Sequence, residues 1–231
     1  MKKYFFPVCL FAVFSFLALT SKSQQCSYYP IKQGAVLGYQ SLDEKGKIVS
    51  TSKVTIQDII QSGLSTEYKV KSEFWDDKNK PTQSREYSMK CVDGNFSVEL
   101  KSMIDPKSFD GLKNMELTFS GDDLSYPSSL SAGMTLPDAS MIMAAGSGGI
   151  TLMRMTIKVT ERKVAGVETV TVPAGTFECY KITYNLETKF GARISSSAIQ
   201  WLNRGAGCVK TETYDSKGKL VGSTLLKEFT P

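Results

Sequence analysis

The sequence contains no histidine. That absence removes Ser-His and Cys-His nucleophilic sites and the commonest general base at neutral pH. Zinc is excluded on the same ground, because no CxxC pair stands in for the missing imidazoles. Like charges never run together in a block, so the chain carries neither a nucleic-acid footprint nor an anionic-membrane patch legible from sequence. Long apolar runs are also lacking beyond one, Tyr4 to Leu19, broken only by Pro7 and Ser15.

That run follows the basic pair Lys2-Lys3 and precedes Ser21-Lys22-Ser23, whose small residues stand at −3 and −1 before Gln24. The pattern is that of a cleaved secretory signal over residues 1–23, and the run is short for a spanning helix. Cleavage leaves one expected β-rich domain, 24–231, in the periplasm or secreted, with no stable membrane span. It also removes three lysines and no acid, so 28 basic residues fall to 25 against 23 acidic ones and the net charge drops from +5 to +2. Cys26 follows Ser23-Gln24-Gln25 rather than the small residue that lipid modification wants, so the chain is not a clear lipoprotein.

Four cysteines remain after cleavage: Cys26, Cys91, Cys179 and Cys208. An even number in an exported chain makes all four disulfide candidates, with three pairings open. Buried free thiols are the alternative, and sequence does not choose between them.

From Gly34 onward, β-branched and aromatic runs alternate with short polar turns. Strands are expected at 35–42, 48–60, 66–75, 82–92, 96–103, 115–119, 140–145, 150–160, 167–172, 176–186, 193–202, 207–214 and 220–229. This spacing predicts an all-β fold: a large curved antiparallel meander or half-open barrel. Asp105-Pro106 predicts one short helix over 106–112. Three turns, around Asp43-x-Lys45-Gly46-Lys47, Asp77-Lys78-Asn79-Lys80 and Asp215-x-Lys217-Gly218-Lys219, place Gly or Asn where a left-handed residue follows a type I turn. Residues 122–138 are too irregular for a strand and read as a lid or an edge cover.

The chemistry-bearing patterns are few. Ser50-Thr51-Ser52-Lys53 matches S-x-x-K, but it sits in an expected strand without its partner motifs. Asp76-Asp77 and Asp122-Asp123 have the neighbours of turn residues rather than of calcium ligands. No catalytic residue, metal ligand or cofactor is therefore assigned. The remaining signal is methionine. A three-residue loop at Ser147-Gly148-Gly149 would set Met141 opposite Met155 and Met143 opposite Met153, all on one face. Such a face is either ordinary core or an adaptable groove for an apolar ligand; Cu(I) binding by thioethers lacks a nearby His or Cys.

Longer motifs carry a resemblance. Val172-Pro173-Ala174-Gly175-Thr176-Phe177 leads into Cys179-Tyr180-Lys181-Ile182, and Trp201-Leu202 is followed by Arg204-Gly205, Gly207 and Val209-Lys210. Thr213-Tyr214-Asp215, Cys26 with Tyr28-Tyr29-Pro30, and Tyr126-Pro127 with Leu130 and Gly133 complete the set. Together these resemble the TapB-like secreted proteins of Bacteroidota. The resemblance implies a periplasmic domain of unknown function with no established catalytic residues, loosely similar to half-open β-barrels of periplasmic lipid and lipoprotein carriers. Cys208 stands where that pattern has an aliphatic residue, so a disulfide through it would be particular to this chain. The expectation is thus a non-enzymatic envelope protein. It holds a lipid or other apolar or amphipathic ligand, with Met141, Met143, Met153 and Met155 as tentative contacts. The alternative is a structural module whose sheet engages an envelope protein partner.

Overall fold

Strand alternation sets the architecture. Along β4 (Pro81–Val92), Arg85, Tyr87, Met89 and Cys91 turn to one side, while Ser84, Glu86 and Lys90 are exposed on the other. The computed structural model describes residues 28–29, 32–103, 111–112 and 114–231. The same two-sidedness runs through β1 (Val36–Asp43), β2 (Ile48–Ser62), β3 (Ser65–Asp76) and β5 (Asn95–Glu99). It continues in β6 (Glu116–Gly121), β7 (Asp123–Tyr126), β8 (Ala139–Ser147) and β9 (Ile150–Val172). The series ends with β10 (Gly175–Phe190), β11 (Ala192–Asn203), β12 (Gly207–Asp215) and β13 (Leu220–Thr230). All thirteen form one antiparallel sheet in the order β6-β8-β9-β10-β11-β12-β13-β1-β2-β3-β4-β5-β7.

That order curls the sheet into a nearly closed barrel, and burial follows from it. Leu37, Ile56, Val70, Ile182 and Leu226 are fully buried and belong to one core. The outer wall carries Lys53, Lys69, Lys71, Glu73 and Lys90, with Lys71 paired to Glu73 at 2.8 Å. Apolar inside and charged outside is the reverse of a membrane-spanning barrel, whose lipid-facing band is apolar. Among the described residues no helix is long and apolar enough to cross a membrane.

Closure depends on the chain from Glu116 to Tyr126. It pairs with β8 as β6, then with β5 as β7, so one segment passes from one edge of the sheet to the other. The handover is at Gly121, φ 142°, where an added Cβ would lie 2.1 Å from the Ser140 carbonyl oxygen. Only glycine lets the backbones approach so closely. Asp122 N–H then donates to Ser140 O at 2.8 Å.

Between β7 and the chain entering β8 the ladder is missing, and this seam is bridged by a side chain. Glu161 (φ 55°) and Arg162 together oppose the single Tyr184, a bulge that turns Arg162 inward. Its Nη1 donates to Ser125 O at 2.9 Å and to Pro137 O at 2.6 Å, and its guanidinium lies 4.8 Å from the Tyr126 ring centroid. Arg162 is 1 % exposed. Of residues 122–138, read from sequence as an irregular lid or edge cover, Asp123–Tyr126 form strand β7 and 127–138 run along the seam. The latter stretch bonds β9 through Gly133 N to Val164 O (2.8 Å) and Leu136 N to Arg162 O (2.8 Å).

Several local expectations change. The two strands expected at 150–160 and 167–172 are one 23-residue strand, β9, because bulges absorb the polar interruption that looked like a break. Ser147 pairs with Ile150, so the glycine loop is Gly148-Gly149 alone, at φ 58° and 80°, and Met143 faces Met155 while Met153 faces Ala145. Two left-handed glycines make the tighter hairpin turn, whose twist suits the strands. At the β9–β10 turn Val172 pairs with Gly175. Thr171 therefore sides with Thr176, and Phe177 with Val170. The three lysine turns form alike, the second from Asp76: Asp43, Asp76 and Asp215 each accept two backbone N–H bonds from their own turn. The helix expected at 106–112 falls outside the described residues except for its last two, and a 3-10 turn occupies Leu100–Met103. The signal segment and Cys26 also lie outside them.

Candidate functional site

Large rings do not fill a barrel of this girth, and a cavity of about 290 Å³ remains inside it. Its floor is aromatic and aliphatic. Tyr29 stacks on Phe96 (5.4 Å between centroids, 15° between planes), Phe96 meets Tyr126 at 6.2 Å, and Leu202 adjoins them. Val54, Met89 and Val98 continue the apolar wall on the β2, β4 and β5 side. The size is at the lower end of small-molecule sites, roughly 300–1,000 Å³.

Several polar groups in the wall have partners in the protein. Tyr126 Oη donates to Gln200 Oε1 at 2.8 Å, Tyr39 Oη donates to the Cys208 carbonyl at 3.1 Å, and Ser72 Oγ donates to Tyr87 Oη at 3.5 Å. Burial pushes the phenols of Tyr29 and Tyr39 well up from their ordinary range, and those of Tyr87 and Tyr126 up as well. A buried phenol resists ionisation because the phenolate would lose its hydration. These rings therefore stay neutral at all ordinary pH values. The one charged side chain among the described lining residues is Arg85. Its guanidinium lies 4.9 Å from the Phe74 centroid and 5.9 Å from that of Tyr87. Arg85 is half-buried and stands opposite Ser72, above the floor and toward the end of β3 that carries Asp76.

The methionines lie elsewhere. Met141, Met143 and Met155 are buried on the β8–β9 side, Met153 is half-buried, and none of the four lines the 290 Å³ cavity. Met141 instead borders a smaller hollow of about 180 Å³ at the seam, among Glu99, Lys101, Asp122 and Asp123. Residues missed from sequence are Arg85, Phe74 and Tyr87. One signal was available: an arginine at an inward position of a strand whose other inward residues are Tyr87, Met89 and Cys91.

Two of the disulfide candidates are corrected. Cys179 and Cys208 are free thiols. Cys179 faces away from the cavity with Phe177, whereas the bulge opposite Leu202 turns Cys208 into the cavity wall, 3.2 Å from Thr211 Oγ1. Burial pushes the Cys179 thiol up to about 12 and raises that of Cys208, so neither is an activated nucleophile. Cys91 is buried and is not among the free thiols. Among the described residues no group of three His, Cys, Asp or Glu side chains could hold a metal ion.

A family model described as DUF3108-like matches residues 32–226. No curated protein sequence matches the chain. Two solved structures share its fold. A candidate exported protein with a YmcC-like fold from Bacteroides fragilis is 21% identical, with a TM-score of 0.73 over 90% of this chain and 100% of that one. A candidate lipoprotein from Parabacteroides distasonis is 21% identical, with a TM-score of 0.75 over 89% of this chain and 100% of that one.

Proposed function

The chain belongs to the DUF3108-like family, and we propose that it is an exported binding protein for a small amphipathic anion. The apolar part of the ligand lies on the floor formed by Phe96, Tyr126 and Leu202. Its anionic end meets Arg85. The observation that carries this reading is Arg85, the one charged side chain among described lining residues that are otherwise neutral and largely apolar. An arginine over aromatic rings is less hydrated than a lysine and offers a planar fork of donors to a carboxylate or phosphate. Among the described wall residues none is poised for acid–base or nucleophilic chemistry, since the phenols of Tyr29, Tyr39, Tyr87 and Tyr126 and the thiol of Cys208 are held neutral. Binding is therefore favoured over catalysis.

Native mass spectrometry of the purified protein tests this directly, followed by titration with a medium-chain fatty acid. A bound amphiphile is expected, and Arg85→Gln is expected to weaken fatty-acid binding about tenfold or more, the scale of one lost charge-assisted hydrogen bond. A protein that carries nothing and binds no fatty acid would leave the structural or protein-interaction role as the better account.

A further inference from the structure

The polar groups of the cavity differ in how well the protein itself completes them. Around much of the wall they are closely paired. Tyr126 Oη donates to Gln200 Oε1 at 2.8 Å, Ser102 Oγ to the Glu99 carbonyl at 2.7 Å, and Tyr39 Oη to the Cys208 carbonyl at 3.1 Å. Ser72 is different. It is 2% exposed and lines the cavity, yet among the described residues its hydroxyl reaches only Tyr87 Oη, at 3.5 Å. Hydroxyl pairs usually stand at roughly 2.8 Å. A hydroxyl offers one donor and two acceptor positions, so Ser72 has most of its capacity to spare.

Strand register places that hydroxyl between the cation and the floor. The inward series on β3 runs Tyr68, Val70, Ser72 and Phe74, so the smallest and most polar member stands among bulky apolar ones. Ser72 is directly opposite Arg85, and Val70 is opposite Tyr87. Along β4 the inward residues beyond Arg85 are Tyr87, Met89 and Cys91, and Cys91 pairs with Phe96 of the floor. Tyr87 Oη also adjoins the Tyr29 phenol. A further lining hydroxyl, Ser52, lies on the neighbouring strand opposite Phe74.

A ligand anchored at Arg85 and extending to Phe96 passes Ser72 and Tyr87 within its first few carbons. A plain acyl chain would cover Ser72 with methylene groups, and a buried hydroxyl left with one long bond is costly. Any water hydrating Ser72 in the empty cavity is displaced by such a chain; a ligand hydroxyl reproduces its bonds and a methylene does not. We propose that the cavity selects a hydroxylated acyl acid, with the ligand hydroxyl a few carbons from the anionic end and held by Ser72 and Tyr87. This rests on the amphipathic-anion reading of the cavity and narrows it. Arg85 holds the charged end of any such acid, whereas the Ser72–Tyr87 pair sets which acid is preferred.

Titration calorimetry of the purified protein with decanoate and with each enantiomer of 3-hydroxydecanoate tests the proposal. In an apolar cavity without a hydroxyl partner the added group would weaken binding, because it would be buried unpaired. Here one enantiomer is expected to bind about fivefold or more tighter than decanoate, the scale of one hydrogen bond. The other enantiomer should bind more weakly, since Ser72 and Tyr87 lie together on one wall. Ser72→Ala should bring the ratio of the two acids to one or below, and Tyr87→Phe should reduce it. Arg85→Gln should weaken both acids alike and keep the ratio. Melting curves verify that each variant is folded. Decanoate bound as tightly as both enantiomers, or more tightly, would overturn the selectivity and leave the amphipathic-anion reading in place. A preference that survives Ser72→Ala would do the same. Binding of none of the acids would overturn that reading and the selectivity with it.

Discussion

Beneath β8 and β9 the barrel interior is filled by Met141, Met143, Met155, Ala145 and Val159, all buried. Beneath β1 to β5 it is lined by Tyr39, Tyr87, Phe96, Ser72 and Arg85 around open space. The two sides use the same strand alternation and differ in what their side chains can do. Unbranched methionine bends to fit irregular gaps. Rigid rings and short hydroxyls cannot, and each hydroxyl must keep a hydrogen-bond partner at a set place. Apolar richness therefore marks the packed side, and the residual polarity marks the side with room.

The largest effect should come from the bond that lets the packed side close. Arg162→Met removes two hydrogen bonds from Nη1 to backbone carbonyls in the seam, and a loss of about 3 kcal/mol or more is expected, at roughly 1.5 kcal/mol or more per charged hydrogen bond. Chemical denaturation measures this. Hydrogen exchange should show opening first at 123–126 and 133–139; a loss spread evenly over the barrel would count against a seam held by one side chain.

A matched pair of substitutions separates the two sides more finely. Met143→Ala should cost about 2–5 kcal/mol and leave fatty-acid binding intact, as for a buried side chain whose loss opens a void. Ser72→Leu points into the cavity side and should change stability by about 1 kcal/mol while abolishing binding by filling the space. If Met143→Ala were harmless and disrupted binding, the methionine side would be the site after all.

The smallest effect is one of pH. The raised phenols and thiols keep their protons in the folded chain at pH values where the unfolded chain loses them. Their contribution to stability is therefore complete below the ordinary thiol and phenol values of 9.0 and 10.0 and is lost as pH rises beyond them. With no histidine to titrate, the melting temperature should be flat from about pH 5 to 8 and decline above about pH 9. Cys179 and Cys208 should resist alkylation until urea is added. A thiol count of two in urea without reductant is expected if Cys91 pairs with Cys26, and a count of four would exclude that pairing.

The fold class was legible because strand alternation and turn chemistry are local. Asp43, Asp76 and Asp215 organise their turns through bonds to residues two and four positions on, which a reader of the chain can anticipate. Details that depend on a partner strand were not legible. The Met141–Met155 register slipped because one bulge at Ala145–Gly146 and a two-glycine turn move every pair. Likewise β9 was divided because a bulge and a break share the same polar residues in sequence. The cavity was least legible. Arg85 became prominent only once Phe74, Tyr87 and the neutral phenols were assembled around it.

The sequence by itself thus determined the strands, the hairpin turns and the inward-facing register of most of them, since each follows from contacts within a few residues. Tertiary structure alone decided how the sheet closes, through Gly121 and Arg162, and where the interior stays hollow. The physical reason is common to both: closure brings together strands distant in the chain, and burial and vacancy exist only between groups that closure has made neighbours.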